Sequence, residues 1–469
     1  MFDPSIYRSR RHALKAAVPG ALILFLGHDE AAMDFRANVY PFRQDSCFRY
    51  FFGLDRPGLA GIVDADSGEE WLFGDDPGID ATIWLGETES LAAAADRVAV
   101  HRTFSRAALA DLLARAPAAG RPILFPPPYR ADTRMTLDRL IGAEADGDPG
   151  GRLVEAIVAL REIKEAGEIA EMEAGLAITA EMHHAAMALT GPGAREQAIV
   201  GRLEGVIREA GLRFAYQPIF SGRGEILHNL RYDRTLAAGE LVVHDAGVWS
   251  AGGYATDITR TIPVTGGFDP LQAHLYDAVL RAQKQSIDAC RPGVPFLEVH
   301  LGAARVLAEE LCNLGLFRGE PDRVVSSGAY ALAFQCGVGH QIGLDVHDME
   351  ALGEDKVGYD AAVRRSDLFG LKSLRLGKAL KPGMTVTIEP GLYFIPQLIA
   401  MWRAEARHEE LIDYDRFETF AGFGGIRIED DVLITSEGSR VLGPPIAKER
   451  DEIESVVGSA ARGMWPSRA

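Results

Sequence analysis

Asp245 and Asp257 are the two residues from which chemistry can be argued first. The stretch from Val243 to Pro263, VHDAGVWSAGGYATDITRTIP, reads as two strands joined by a glycine-bearing turn. Period-two alternation puts Leu241, Val243 and Asp245 on one face of the first strand, and Asp257, Thr259 and Thr261 on one face of the second. A carboxylate at the end of a buried strand is costly unless it is paired or bound to a cation, and the chain repeats that arrangement twelve positions on. A plainer reading is also open, in which Asp245 caps the turn and Asp257 pairs with Arg260.

Three more stretches supply groups of the same kind. Val338–Asp348, VGHQIGLDVHD, carries His340 and His347 seven apart in a glycine-punctuated loop, where backbone can come close to a bound group. Thr385–Gly391, TVTIEPG, is an alternating strand whose ladder ends at Pro390, which leaves Glu389 at its terminus. In Gly424–Asp431, GGIRIEDD, Ile426 and Ile428 share one face while Arg427 and Glu429 share the other. Each alone fits a surface strand with its charges outward. Together they set Asp245, Asp257, Glu389 and Glu429 beside apolar strands, and four buried carboxylates without cations would push several of their pKa values far up. Two divalent cations neutralise four such charges. Oxygen-rich donors with one imidazole, from His340 or His347, suit Mn²⁺ or a similar ion better than a structural zinc site. Two such ions can share a hydroxide, and hydrolysis of an amide is the natural chemistry.

The elements that must position these groups follow from pattern. Strands are expected at 240–246, 253–263, 384–389 and 426–434, among helices at 194–210, 270–290 and 296–314. A longer helical pattern runs from Leu153 to Leu189, bent near Gly167, with Lys164, Glu165 and Glu168 on its outer face. His183 and His184 within it lack metal-ligand spacing and read as a structural or exposed pair. Helices and antiparallel strands in separate runs indicate an α+β domain. Upstream, a basic helix at 8–18, a strand at Ala21–Leu26, a hairpin of Ala60–Ala65 and Glu70–Phe73, helices at 91–99 and 107–119 and a strand at Ile123–Phe125 alternate as an α/β domain. This region holds no cluster of catalytic residue types. GAEADGDPGG at 142–151 is a composition break, read as a linker between an N-terminal domain at 1–150 and a second domain at 151–469.

Bulk properties narrow the classes. With 469 residues the chain is long enough for two domains. Its formal net charge of −18 argues against nucleic acid or an anionic membrane as the main partner. No apolar run approaches the roughly 18 residues that cross a bilayer. Cys47, Cys290, Cys312 and Cys336 are scattered without a CxxC pair, which fits a reducing cytosol and gives no thiolate zinc site. The N-terminal MFDPSIYRSRRHALKAA lacks the apolar core of a signal peptide, so a cytoplasmic protein is expected.

The ordered set DAG, TDITRT, GxGHxxGxDVHD, TIEPG and GIRIEDD resembles the pita-bread metallopeptidases. Within that family it is most similar to the prolidases, the Xaa-Pro dipeptidases, with aminopeptidase P close by. YPFRQDSCFRYFFG is similar to the N-terminal domain that both share, so the resemblance spans nearly the whole chain. It implies an α/β N-terminal domain followed by an α+β pita-bread catalytic domain, and a homodimer. It implies two divalent metal ions, Mn²⁺ with Co²⁺ or Zn²⁺ as alternatives. The activity implied is cleavage of proline-containing dipeptides or short peptides by a metal-bridging hydroxide. By the same resemblance Asp245, Asp257, His340, Glu389 and Glu429 are the metal ligands, with Asp257 and Glu429 bridging. Glu389 also handles the proton of the attacking water. His228 and His347 hold the substrate and the tetrahedral intermediate, and Arg427 stands beside the last ligand.

Leu371–Arg375, LKSLR, is similar to the prolidase segment whose arginine binds the free carboxylate of a dipeptide. An Arg375 fork facing that carboxylate would fix substrate length, because a longer peptide has an amide there. The 39 residues between Glu389 and Glu429 also fit a prolidase. Three departures stand against the family pattern. Cys336 takes the place of a histidine usual four residues before His340, the turn between Asp245 and Asp257 is one residue longer, and the loop SGRGEILH is shorter. The alternatives are an Xaa-Pro aminopeptidase acting on longer peptides, a metal-free amidinohydrolase of the creatinase type, and a catalytically silent binding protein that keeps the same shell.

Overall fold

The computed structural model describes residues 1–86, 89–118, 120–142, 147–148 and 150–459, so residues 143–146 and 149 of the expected linker lie outside it. The chain forms two compact units, Met1–Glu162 with Met349–Val357, and Ile163–Asp348 with Gly358–Ala469.

The first unit is built on a five-stranded sheet of β1 (Leu22–Leu26), β2 (Ala60–Asp64), β3 (Glu70–Phe73), β4 (Arg102–Phe104) and β5 (Ile123–Leu124), in the order β4-β3-β2-β1-β5. The β1–β2 and β2–β3 pairs are antiparallel, whereas β1–β5 and β3–β4 are parallel. Every residue of β1 and β2 is buried, as the apolar runs LILFL and AGIV require of strands covered on both faces. Leu22, Leu24, Ile62 and Phe73 pack with Leu109, Leu113 and Leu137 of the flanking helices. In YPFRQDSCFRYFFG, the Asp45 carboxylate accepts the Phe48 N–H at 2.8 Å and caps the helix Ser46–Phe52, which buries Phe48, Phe51 and Phe52.

The second unit carries the charged motifs. Its strands are β6 (Arg213–Phe214), β7 (Ile219–Ser221), β8 (Leu241–Asp245), β9 (Val248–Trp249), β10 (Thr259–Pro263), β11 (Thr385–Ile388), β12 (Gly391–Tyr393), β13 (Gly425–Arg427), β14 (Asp430–Ile434) and β15 (Ser439–Val441). They form two three-stranded sheets, β10-β8-β7 and β11-β14-β15, and two pairs, β12-β13 and β6-β9. Long helices at Ala166–Leu189, Glu196–Glu209, Pro270–Ala289 and Phe296–Asn313 cover them. Among the described residues no helix is long and apolar enough to cross a membrane.

Three differences from the expected elements have physical causes. The strand expected at 426–434 breaks after Arg427. Pro390, which has no N–H, interrupts the facing strand between β11 and β12, so β13 pairs with β12 and β14 with β11. At the break the Glu429 N–H turns to the Thr259 carbonyl at 3.1 Å. The strand expected at 253–263 begins only at Thr259, because Asp257 donates its N–H to the Asp431 carboxylate at 3.2 Å and Ala255 to the Gly343 carbonyl at 2.7 Å. The long helical pattern splits into Arg152–Arg161 and Ala166–Leu189, the second started by a capping box of Glu165 and Glu168.

Lys164 and Glu168 are not on an outer face. Lys164 forms an ion pair with Asp348, and Glu168 accepts the Tyr254 hydroxyl at 2.7 Å, both buried. Their partners lie far along the chain, where helical periodicity cannot register them. His183 is structural: its Nε2 meets the Ala246 carbonyl at 3.1 Å in a fully buried setting.

The turn that carries β8 into β10 depends on a glycine. A Cβ at Gly247 would lie 1.7 Å from the Thr256 carbonyl oxygen, and backbone cannot yield there as a side chain can. Gly247→Ala is expected to destabilise the chain by roughly 1–3 kcal/mol. Gly302→Ala, inside the helix Phe296–Asn313 with nothing within 4 Å, should instead gain up to about 1 kcal/mol. Urea unfolding of the two variants checks the contrast.

Candidate metal centre

Asp245 ends β8 directly opposite Thr259 of β10, and β10 is stitched in turn to β13 by its two threonines. Thr261 Oγ1 donates to the Arg427 carbonyl at 2.9 Å and accepts the Arg427 N–H at 3.0 Å. Thr259 Oγ1 donates to Glu429 Oε2 at 2.7 Å and accepts from Arg427 Nε at 3.0 Å. The repeated threonines of TDITRT thus fix both the arginine and the last glutamate. Arg260 on the opposite face pairs with Asp430 at 2.7 Å, its side chain 1% exposed. That removes the plainer reading in which Arg260 neutralises Asp257.

His340 arrives from a loop laddered onto β11. Its N–H donates to Thr387 Oγ1 at 3.1 Å, and Thr387 N–H donates back to the His340 carbonyl at 2.9 Å. His340 Nδ1 faces the Gln341 carbonyl at 3.0 Å, which fixes the hydrogen on Nδ1 and makes Nε2 the acceptor nitrogen of the ring. That Nε2 lies 3.6 Å from Asp257 Oδ2 and 3.6 Å from Glu389 Oε1. One ligand atom from each of Asp257, His340 and Glu429 falls within 4.8 Å of the others. His347 places its ring centroid 4.3 Å from that of His340, edge to face.

Electrostatics ties the remaining groups to this point. Burial raises the Asp257 carboxyl to about 8, with Asp245 adding repulsion. Burial likewise raises Glu429 well above the usual carboxylate range, with Asp257, Glu389 and Asp245 repelling it. Glu389 is raised by burial too, although His340 and Arg427 oppose the shift. Arg427 bonds the Asp245 carboxylate through Nη2 and the Tyr393 hydroxyl at 2.9 Å through Nη1. His228 is held below its ordinary value by partial burial and then by Arg427, His347 and Arg375. The cluster therefore gathers Asp245, Asp257, His340, Glu389, Glu429, Arg427 and His347, and the His228 imidazole feels the charges of Arg427, Asp245, His347 and Arg375.

The donor set suits a pair of divalent cations. The Asp245, Asp257, Glu389 and Glu429 carboxylates face the Arg427 guanidinium and the Nε2 of His340, so the buried site carries excess negative charge unless protons or cations fill it. Oxygen donors with one nitrogen match hard to borderline ions.

Tyr216 was not anticipated, and nothing in RFAYQPIF marks it. Its hydroxyl lies 2.5 Å from Asp245 Oδ1 and also contacts Asp257 Oδ1. One hydroxyl hydrogen cannot serve both carboxylates, so a proton on Asp257 completes the pair when no cation is present. Asp431 also joins the site's outer layer, fully buried and raised by burial and by Asp257. Cys336 places Sγ 3.9 Å from the Tyr393 hydroxyl, and burial together with Glu389 pushes its thiol up to about 12, so it is a protonated thiol at neutral pH.

Comparison with known proteins gives the family and the fold. A sequence model of metallopeptidase family M24 matches residues 170–436, and one of the aminopeptidase P N-terminal domain matches residues 7–123. The chain is 29% identical to the Xaa-Pro dipeptidase of Homo sapiens, covering 96% of this chain and 91% of that protein. It is also 29% identical to the Xaa-Pro aminopeptidase of Escherichia coli K12, over 97% of this chain and 98% of that protein. Among solved structures, a glutamate-to-alanine variant of Escherichia coli aminopeptidase P in complex with substrate superposes with a TM-score of 0.79 at 27% identity, covering 98% of this chain and 99% of that one.

Proposed function

The chain belongs to metallopeptidase family M24, with an aminopeptidase P-type N-terminal domain ahead of a pita-bread domain, and from that premise we propose that it is an Xaa-Pro dipeptidase. The observation that carries the site assignment is the meeting of Asp257, His340 and Glu429 within 4.8 Å, with Asp245 and Glu389 pressing their charges on the same point. In this reading those five residues hold two divalent ions, with Mn²⁺ favoured by the oxygen-rich donors. Such a pair, when bound, makes a water acidic enough to serve as nucleophile at neutral pH and polarises the scissile carbonyl.

The chain's own residues do the rest. Glu389, raised above an ordinary carboxylate, accepts the proton of the attacking water. It then delivers that proton to the departing nitrogen. Proline's tertiary amide has no N–H, so this nitrogen leaves as a secondary amine and needs the proton. His347 donates a hydrogen bond to the oxyanion, and His228 holds the substrate in place. Arg427 fixes Asp245 and offsets part of the cluster's charge.

Substrate length turns on Arg375. Its influence on the His228 imidazole supports a location beside the substrate, where a guanidinium fork would bind a free carboxylate. The enzyme should then cleave Ala-Pro at least about tenfold more efficiently than Ala-Pro-Ala, the size of a lost charged hydrogen bond. Arg375→Ala should lose about 10–100-fold in kcat/KM on Ala-Pro, mainly through KM, and leave Ala-Pro-Ala unchanged. Steady-state kinetics on both peptides with Mn²⁺, Co²⁺ and Zn²⁺ decides the matter. Equal efficiency on the tripeptide would favour the second reading, an Xaa-Pro aminopeptidase, which the likeness to aminopeptidase P structures supports.

A further inference from the structure

We infer that Lys164 is a positioning residue for His347, acting through a buried ion pair with Asp348; this rests on the reading that His347 contacts the substrate. Lys164 Nζ lies 2.8 Å from Asp348 Oδ2, and each side chain is only 1% exposed. Removing an ammonium and a carboxylate from water is expensive, and such a pair is a weak stabiliser beside apolar residues of the same volume. Its contribution therefore lies in geometry.

The geometry runs straight to the histidine. Asp348 follows His347 directly. Its Oδ1 accepts the Asp345 N–H at 3.3 Å, and its own N–H donates to the Gln341 carbonyl at 2.8 Å. Gly343 N–H donates to the Asp345 carbonyl at 3.0 Å, which closes the turn from 341 to 348 on the Asp348 carboxylate. The turn is packed onto the pair itself: a Cβ at Gly343 would come 2.5 Å from Asp348 Oδ2 and 2.9 Å from Lys164 Cε. Lys164 is anchored in turn by its N–H, which donates to the Gly383 carbonyl at 2.8 Å. Just past the pair, Met349 has φ of +64°, a backbone conformation an L residue holds only when its surroundings impose it.

His340 sits in the same loop but is held differently. Its backbone is exchanged with Thr387, and Gln341 bridges to Val386, so β11 fixes it without the ion pair. The device therefore acts on the histidine read as a substrate contact and spares the one read as a ligand. That separation predicts a loss of turnover without a loss of metal.

The test is a double-mutant cycle on the full chain with Ala-Pro, reading kcat, KM and bound Mn²⁺ for Lys164→Met, His347→Ala and the double variant. Lys164→Met should lower kcat by about 10–100-fold, the usual effect of removing a group that orients a site residue. KM should stay within about threefold and Mn²⁺ content should equal that of the unmodified enzyme. In the His347→Ala background, Lys164→Met should cost no more than about threefold further. Asp348→Asn, which keeps shape and an acceptor for Asp345, should show the same dependence on His347 and carries the test if Lys164→Met does not fold. Full multiplicative loss in the double variant, or loss of Mn²⁺ with the single one, overturns the inference. His347→Ala with unchanged kcat would instead overturn the reading beneath it.

Discussion

Asp257→Asn should reduce kcat on Ala-Pro by about 10³-fold or more, since the several kcal/mol that two cations lend to the transition state go with them. Asparagine keeps the shape of the side chain and the approach of the Tyr216 hydroxyl, but it removes one of the charges that the site uses to hold cations. Asp257 Oδ2 lies 3.6 Å from His340 Nε2, and Asp257 groups with His340 and Glu429. Elemental analysis of the purified variant should find less metal than in the parent. The chain should remain folded and be about as stable as the metal-free parent at neutral pH, because asparagine replaces a carboxyl that burial and Asp245 already keep protonated there with a neutral group of the same shape. Full activity of the variant after metal reconstitution would contradict the proposed ligand set.

The second large effect is on stability and pH. In the chain without cations, Asp257 is raised to about 8, and Glu389 and Glu429 are raised in the same direction. A carboxyl whose folded pKa exceeds its unfolded one binds more protons in the folded state between the two values. Stability contributed by those protons is present at low pH and declines as pH climbs from about 4 to about 8. The chelated protein should therefore melt higher near pH 5 than near pH 8. Cations replace the protons, so metal binding should tighten with rising pH and release protons. At pH 8, Mn²⁺ at a thousand times its dissociation constant should add about 4 kcal/mol of stability. Differential scanning calorimetry of the chelated and loaded protein at the two pH values tests both signs. A chelated protein more stable at pH 8, or indifferent to added Mn²⁺, would contradict the picture of a crowded carboxylate cluster.

How much of this could be read in advance follows the range over which each residue's partners lie. The alternation of Leu241–Asp245 and of Thr385–Ile388 is local, and both strands occur where the pattern puts them. So do the long helices from Glu196, Pro270 and Phe296, whose starts carry ordinary signals such as the Asp269 capping box. The fold class, an α/β unit followed by an α+β pita-bread domain, follows from the same patterns and from the motif order. Asp245, Glu389 and Glu429 were legible because each ends or interrupts an apolar strand, and Asp257 because it lies two residues before one. What was hidden was pairwise and distant. The break in the strand at Ile428 comes from Pro390 on the facing strand. Lys164 and Glu168 look like solvent-facing charges until Asp348 and Tyr254 fold onto them. Arg260 finds Asp430 rather than its neighbour Asp257, because alternation turns it to the opposite face of β10. Tyr216 carries no signal beyond an aromatic ring before a short strand.

The central claim is that Asp245, Asp257, His340, Glu389 and Glu429 together hold two cations. Anomalous diffraction from crystals of the protein soaked in Mn²⁺ tests it most directly. Two peaks are expected in the cluster, both within ligand reach of Asp257 and Glu429. A single peak, or manganese bound only away from these five side chains while the crystalline enzyme turns over Ala-Pro, would contradict it.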